Sequence, residues 1–206
     1  MSAPRQSRAS RVGRRLVDLV VTLAVAPVVV PLTLLLGLAV VLDSRGPMLI
    51  AHERVGRAGR RFSLYKLRTM VENADELKAE LQHMNVLEWP DFKIPDDPRI
   101  TRVGRWLRRS SLDELPQLWN LLRGELTLVG PRPCSIEVVK YRLWQTERLE
   151  ATPGLFGRWQ AEARGSASFD ERCRMDIAEI RTSGVRSQVK VAVKTIRSVI
   201  TGQGAS

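Results

Sequence analysis

The sequence predicts an α+β, mainly helical chain of the monotopic membrane kind, with an N-terminal re-entrant helix hairpin, a small β-hairpin and amphipathic interfacial helices. Three observations predict it: a long uncharged run near the N-terminus that contains two prolines, arginine-rich flanks on both sides of that run, and downstream segments that repeat apolar and basic positions at helical spacing. The organisation read from these is a basic N-terminus with its membrane helix over 1–45, followed by a single domain over 46–206 that rests on the membrane.

The membrane segment comes first. From Leu19 to Leu42 no residue is charged, which at about 1.5 Å per residue is enough to cross a hydrocarbon core of roughly 30 Å. The run is too long for a usual signal-peptide core and no small-residue cleavage pattern follows it. Pro27 and Pro31 lie inside it. Each removes a backbone donor and crowds the preceding turn, so a sharp bend is expected there. Arg5, Arg8, Arg11, Arg14 and Arg15 precede the run, and Arg54, Arg57, Arg60, Arg61, Lys66 and Arg68 follow it against Glu53 alone between His52 and Arg68. Positive charge marks the cytoplasmic side of a span, and a straight span cannot put both flanks there. A hairpin that enters and leaves on one face satisfies both, provided the freed carbonyls find partners.

The rest of the chain reads as short elements. "MLIAHERVGRAGRRFSLYKLRTM" gives two strands around a Gly56 to Gly59 turn. "VENADELKAELQHM" is an exposed helix, with Glu76 and Glu80 flanking Lys78, and neither it nor His83 is assigned chemistry. "PRITRVGRWLRRS" sets Ile100, Val103, Trp106 and Leu107 against Arg99, Arg102, Arg105, Arg108 and Arg109, the pattern of a helix at the lipid headgroup layer. A second such helix is expected where Val189, Val193, Ile196 and Ile200 run beside Arg186, Lys190, Lys194 and Arg197.

With 33 Lys and Arg against 22 Asp and Glu, the net charge of +11 points to an anionic partner: nucleic acid, an anionic leaflet or a phosphorylated small molecule. Cys134 and Cys173 lack metal-ligand spacing, so neither a disulfide framework nor a zinc site is encoded.

Against this basic background, "SSLDELPQLWN" places Asp113 and Glu114 side by side just before a helical apolar repeat, Leu115, Leu118, Trp119 and Leu122. Pro116 suits a first turn, so the helix starts close to Asp113. Two readings fit. Ser111 and Glu114 match the S-x-x-E capping box. The same position suits phosphate chemistry: helix-start N–H groups favour anions, Arg108 and Arg109 lie just upstream, a carboxylate can attack phosphorus and its neighbour can hold Mg²⁺. In "LVGPRP", Pro131 and Pro133 restrict the backbone of Arg132 and present its guanidinium fork.

Together, "RVGRAGRRFSLYKLRTM", "DDPRITRVGRWLRRSSLDELPQLWNLLRGELTLVGPRP" and "PGLFGRWQ" resemble the bacterial sugar transferases, the monotopic polyprenyl-phosphate hexose-1-phosphate transferases, in their minimal catalytic form. The resemblance runs from about Arg14 to Ile200. It implies transfer of a sugar 1-phosphate from a UDP-sugar to a polyprenyl phosphate such as undecaprenyl phosphate, with release of UMP and a requirement for Mg²⁺, as the first step of lipid-linked glycan assembly. The implied place is the cytoplasmic face of the bacterial inner membrane. The family's dyad falls on Asp113 as nucleophile, forming a phosphosugar intermediate, and on Glu114 as metal ligand. Lys66, Arg68, Arg108 and Arg132 match basic motif positions and are candidates for holding phosphates, and Asp176 of the "MD" pair is carried over with them as a substrate-binding position. The family's re-entrant break at a Ser-Pro-like step is matched by Ala26 and Pro27.

The chain departs from the pattern at Phe156, where Thr is usual, at Ile180 and Gln188, where an aromatic and an Asp are usual, and at His52, where Gln is common. A rival class is a membrane-tethered nucleic-acid-binding or scaffold protein whose arginines hold phosphate backbones without catalysis. It has no use for the dyad, and nucleic acid is not expected as a partner. An alcohol phosphotransferase using CDP-lipids would carry spaced aspartates on membrane helices, whereas only Asp18 lies near the apolar run.

Overall fold

A computed structural model describes residues 8–87, 92–162, 167–182 and 194. The first element, α1 (Arg8–Asp43), contains both Pro27 and Pro31, so the expected break does not divide it into two helices. A proline costs a helix one hydrogen bond and a local clash, while the many bonds on either side still hold. The Thr33 hydroxyl donates to the Val29 carbonyl at 2.7 Å, a back-bond of the kind that bends helices.

Within α1, Arg11–Asp43 is long and apolar enough to cross a membrane, with mean hydropathy 2.6 and only 17% of that window buried in protein. Its less exposed residues, Arg15, Asp18, Thr22, Ala26, Val29, Thr33, Leu36 and Val40, follow one helical face. Leu16, Val20, Leu23, Val28, Leu34, Leu35 and Leu38 are exposed on the others. Such a continuous apolar surface is what a lipid-facing helix presents. Both ends of α1 are fastened to the remainder of the chain. Near its start, Arg15 donates to the Leu121 and Leu122 carbonyls and the Asp18 carboxylate accepts from the Thr127 hydroxyl at 2.8 Å and the Leu128 N–H at 2.9 Å. At its end, Leu36 and Val40 pack on Leu67 and Leu107.

The expected β-hairpin is present: β1 (Leu49–Val55) pairs antiparallel with β2 (Arg61–Leu67), joined through a turn at Arg57–Gly59. Alternation along β2 sends Leu67 to one side, into the cluster with Leu36, Val40 and Leu107, and Leu64 to the other, with Leu121 and Leu126. Lys66 shares the Leu64 side. The strand thus sits between two small cores, and a one-residue slip in register would carry Lys66 away from the second one.

Beyond the short exposed helix α2 (Ala74–Glu80), α3 (Arg102–Ser110) begins under two caps. Thr101 accepts from the Gly104 N–H at 3.0 Å, and Asp43, at the end of α1, accepts from the Val103 N–H at 3.0 Å. Those bonds use donors that a helix start leaves unsatisfied. The sequence groups Trp106 with Val103 and Leu107, but the structure separates them: Leu107 is fully buried and Trp106 is 53% exposed. An amphipathic side chain at an interface keeps its ring available to headgroups rather than to the core.

After α4 (Gln117–Arg123), two three-residue strands, β3 (Thr127–Val129) and β4 (Gly154–Phe156), pair in parallel. Phe156, the departure from the usual Thr, lies opposite Val129 in this pair. Two helices close the described chain, α5 (Arg158–Glu162) and α6 (Phe169–Thr182). The second interfacial helix expected around Val189 to Ile200, and Gln188 with it, fall outside the described residues apart from Lys194.

Candidate active site

The carboxylate pair sits at the junction of α3 and α4. Ser111, with φ 56°, ends α3 in the left-handed region, the chain makes one tight turn at Leu112–Glu114, and Pro116 then starts α4. The expected capping box does not form, since Ser111 makes no side-chain cap bond. Its left-handed backbone takes it out of cap geometry, which needs an extended residue. Glu114 is instead drawn towards two cations.

Lys66 Nζ donates to Glu114 Oε1 at 2.8 Å and lies 3.4 Å from Asp113 Oδ2, and Arg132 Nη2 reaches the same Glu114 oxygen at 2.6 Å. Residues far apart in sequence are therefore gathered by three pieces of structure: β2 supplies Lys66, the α3–α4 turn supplies the dyad and the proline-flanked loop supplies Arg132. Arg108, in the last turn of α3, lies near enough to Asp113 for their charges to interact, and its Nε is aimed by a bond to the Thr69 hydroxyl at 2.8 Å.

The two carboxylates differ in electrostatics. Burial pushes the Asp113 carboxyl above its ordinary value; Lys66 pulls it down, and the adjacent Glu114 charge adds to the rise. Burial also works against Glu114, but Arg132 and Lys66 outweigh it and hold that carboxyl far below the usual range. Burial lowers the Arg108 pKa, while the nearby Asp113 and Asp97 charges work against that fall. Neighbouring carboxylates whose environments push them apart are suited to different roles. Asp113 is poorly stabilised as an anion, whereas Glu114 is a fixed negative charge.

Two other sequence candidates lie elsewhere. Arg68 is buried and spends its guanidinium on the loop after α1, donating to the Pro47, Ser44 and Gly46 carbonyls, the Ser44 hydroxyl and the Met70 carbonyl. It acts as a clip that ties the end of the membrane helix to β2. Asp176, on α6 and 1% exposed, pairs with Arg148 at 2.5 Å. The same Arg148 nitrogen donates to the Arg132 carbonyl at 2.9 Å. Asp176 thus reaches the site at one remove, by holding the arginine that holds the Arg132 backbone.

The sequence reading missed the residues that set this geometry. Asn120, fully buried, accepts from the Tyr65 N–H at 3.2 Å and donates to the Ser63 carbonyl and Glu125 at 2.7 Å, locking α4 to β2. One signal existed, a lone amide inside the apolar "LWNLL". Gly104 lets α3 lie against Thr69, because a Cβ there would fall 2.1 Å from the Thr69 carbonyl oxygen. Asp97 and Arg99 form a buried bidentate pair that fixes the approach to α3.

The donor set fits Mg²⁺ in a limited way. Both cations rest on Glu114 Oε1, leaving Oε2 and the second oxygen of Asp113 outside these pairs, and no group of three or more His, Cys, Asp or Glu that could hold a metal occurs among the described residues. Mg²⁺ commonly uses one or two carboxylates and completes its shell with water and substrate phosphates, so two carboxylates suffice only alongside a phosphorylated substrate.

A buried acid, a second acid held ionised beside it and the nearby Lys66, Arg108 and Arg132, on a domain that carries one long apolar helix, form a site suited to phosphate groups. The model of the bacterial sugar transferase family matches residues 9–202, and the chain belongs to that family. It is similar to the UDP-galactose-lipid carrier transferase of Erwinia amylovora, 39% identical over 95% of this chain and 42% of that protein. The undecaprenyl-phosphate galactose phosphotransferase of Salmonella typhimurium is 39% identical over 96% of this chain and 42% of its own length. The chain thus spans less than half of these relatives. It spans 88% of the exopolysaccharide production protein ExoY of Sinorhizobium fredii, with 34% identity over 94% of this chain.

Proposed function

We propose that the protein is a phosphoglycosyl transferase that moves a sugar 1-phosphate from a UDP-sugar to a polyprenyl phosphate, releasing UMP, at the start of lipid-linked glycan assembly. The observation that carries this reading is the contrast within the dyad: Asp113 is buried and poorly stabilised as an anion, next to a Glu114 that is held ionised by Lys66 and Arg132. The names of the Erwinia and Salmonella relatives support the donor and acceptor classes.

In the first half-reaction an Asp113 oxygen attacks the sugar-bearing phosphorus, the bond to the bridging oxygen breaks, and UMP departs with the electron pair. In the second, an oxygen of polyprenyl phosphate attacks that phosphorus, the bond to Asp113 breaks, and the free carboxylate returns with a polyprenyl diphosphate sugar as product. Arg108 and Arg132 hold phosphate oxygens and offset the charge that collects there. Glu114 and Asp113 would hold Mg²⁺, which supplies charge neutralisation on the diphosphate.

The acceptor is a lipid, and the fastening of both ends of α1 to one domain supports a membrane helix that returns to the face it entered, the cytoplasmic one given its arginines. Detergent-purified protein incubated with UDP-sugars, Mg²⁺ and undecaprenyl phosphate should release UMP. With polyprenyl phosphate omitted, intact mass should show one phosphosugar adduct, lost in Asp113→Asn. Release of UMP without any adduct would remove the covalent route. Single cysteines at Arg8 and at Arg142, in a background without Cys134 and Cys173, should be labelled from the same side of vesicles; labelling from opposite sides would reject the hairpin.

A further inference from the structure

A cavity of about 820 Å³ lies away from the dyad, where the start of α1 meets the domain. Arg11, Arg14 and Arg15 line it from α1, Arg57 reaches it from the β-hairpin turn, and Gly130 with Thr152 forms part of its far wall. Residues 11, 14, 15 and 18 share one face of α1, spaced by three or four, while Val12 and Leu16 on other faces are exposed and apolar. The cavity therefore lies beside Val12 and Leu16, among the first exposed apolar residues of α1.

Its charges can be sorted. Arg15 is committed to the Leu121 and Leu122 carbonyls, and Asp18 to Thr127 and Leu128. Arg14 interacts with the Asp18 and Glu179 charges, which leaves Arg11 and Arg57 against Glu150, one net positive charge. Arg11 and Arg57 have no ion pair among the described residues. Thr146 and Thr152 add hydroxyls, and Leu126, Val129 and Leu149 add apolar wall. Guanidinium groups from two separate elements facing one space suit the several oxygens of a phosphate, which Arg binds through paired donors.

We infer that this cavity binds the headgroup of a monoanionic phosphodiester lipid, with the phosphate between Arg11 and Arg57. The inference rests on α1 being membrane-embedded and is independent of the chemistry at Asp113. A free phosphate ester has the same recognition chemistry. The lipid is favoured because α1, which supplies one wall of the cavity, carries an exposed apolar surface beginning at Val12 and Leu16 that would hold the acyl chains.

The test uses the full chain in a neutral detergent, with bound lipid read by native mass spectrometry. Added phosphatidylglycerol should be retained through detergent exchange and phosphatidylcholine should not. Arg11→Gln with Arg57→Gln should weaken phosphatidylglycerol retention about tenfold or more, whereas Arg102→Gln with Arg105→Gln, the same charge change on α3, should leave it near the wild-type level. Equal loss in both double variants would mean diffuse attraction and overturn the site, as would equal retention of phosphatidylcholine. Displacement of phosphatidylglycerol by millimolar glycerol 3-phosphate would assign the cavity to a soluble phosphate ester and overturn the lipid. If the protein stayed in the aqueous phase without detergent, the membrane reading itself would fail, an outcome separate from loss of lipid by an embedded protein.

Discussion

Exchanging each carboxylate for its amide should move stability in opposite directions. In Asp113→Asn the lost charge is one that burial penalises and that has only a 3.4 Å contact with Lys66. Removing it should raise the apparent Tm by about 2–4 °C, about 1 kcal/mol for a chain of this length, as expected where a functional site is kept at a cost in stability. Glu114→Gln removes the shared partner of Lys66 and Arg132, at 2.8 and 2.6 Å, and leaves two cations around a neutral amide. Breaking a fully buried pair costs about 3–5 kcal/mol. These side chains are 18 to 27% exposed, so water recovers part of it and about 2 kcal/mol is expected, a fall of about 4–8 °C. The assay is thermal unfolding in detergent without nucleotide or metal, so no catalytic step enters. The pH dependence follows the same signs. The Glu114 stabilisation is complete above its unfolded value near 4.5 and is lost as pH falls from there towards its depressed folded value. The Asp113 penalty is present above its raised folded value and is relieved as pH falls through it towards 3.8. The gain in Asp113→Asn should therefore shrink on acidification before the loss in Glu114→Gln does. A fall of about 1 kcal/mol in Asp113→Asn, as for a lost helix cap, would refute the reasoning.

Two further outcomes are expected. Arg132→Lys should lower kcat, because one ammonium cannot reproduce the guanidinium fork; Arg148→Met, which releases the Arg132 backbone, should lower it in the same way, with rates normalised to the folded fraction from thermal unfolding. Gly104→Ala places a methyl 2.1 Å from the Thr69 carbonyl, so α3 must shift, with a Tm loss worth about 1–3 kcal/mol and a weakened Thr69 to Arg108 contact read as a higher KM.

By itself the sequence determined the elements whose cause is local. An uncharged run, two prolines, basic flanks and a period of two around a glycine turn specify a membrane helix and a hairpin because each depends on neighbours a few residues away. It also marked Asp113 and Glu114, as paired acids in a basic chain, and Arg132, between prolines. The tertiary structure decided the partners. Lys66 meets Glu114 where Asn120 and the Leu64, Leu121 and Leu126 cluster join β2 to α4, and the sequence offers no reason to join residues 47 or more positions apart. It turned the apparent capping box at Ser111 into a left-handed turn, sent Arg68 to the loop beneath α1, and set Asp176 behind Arg148. Charge in a sequence is visible, but which charges are desolvated together depends on what the fold packs around them, and that alone separates a phosphate ligand from a structural clip.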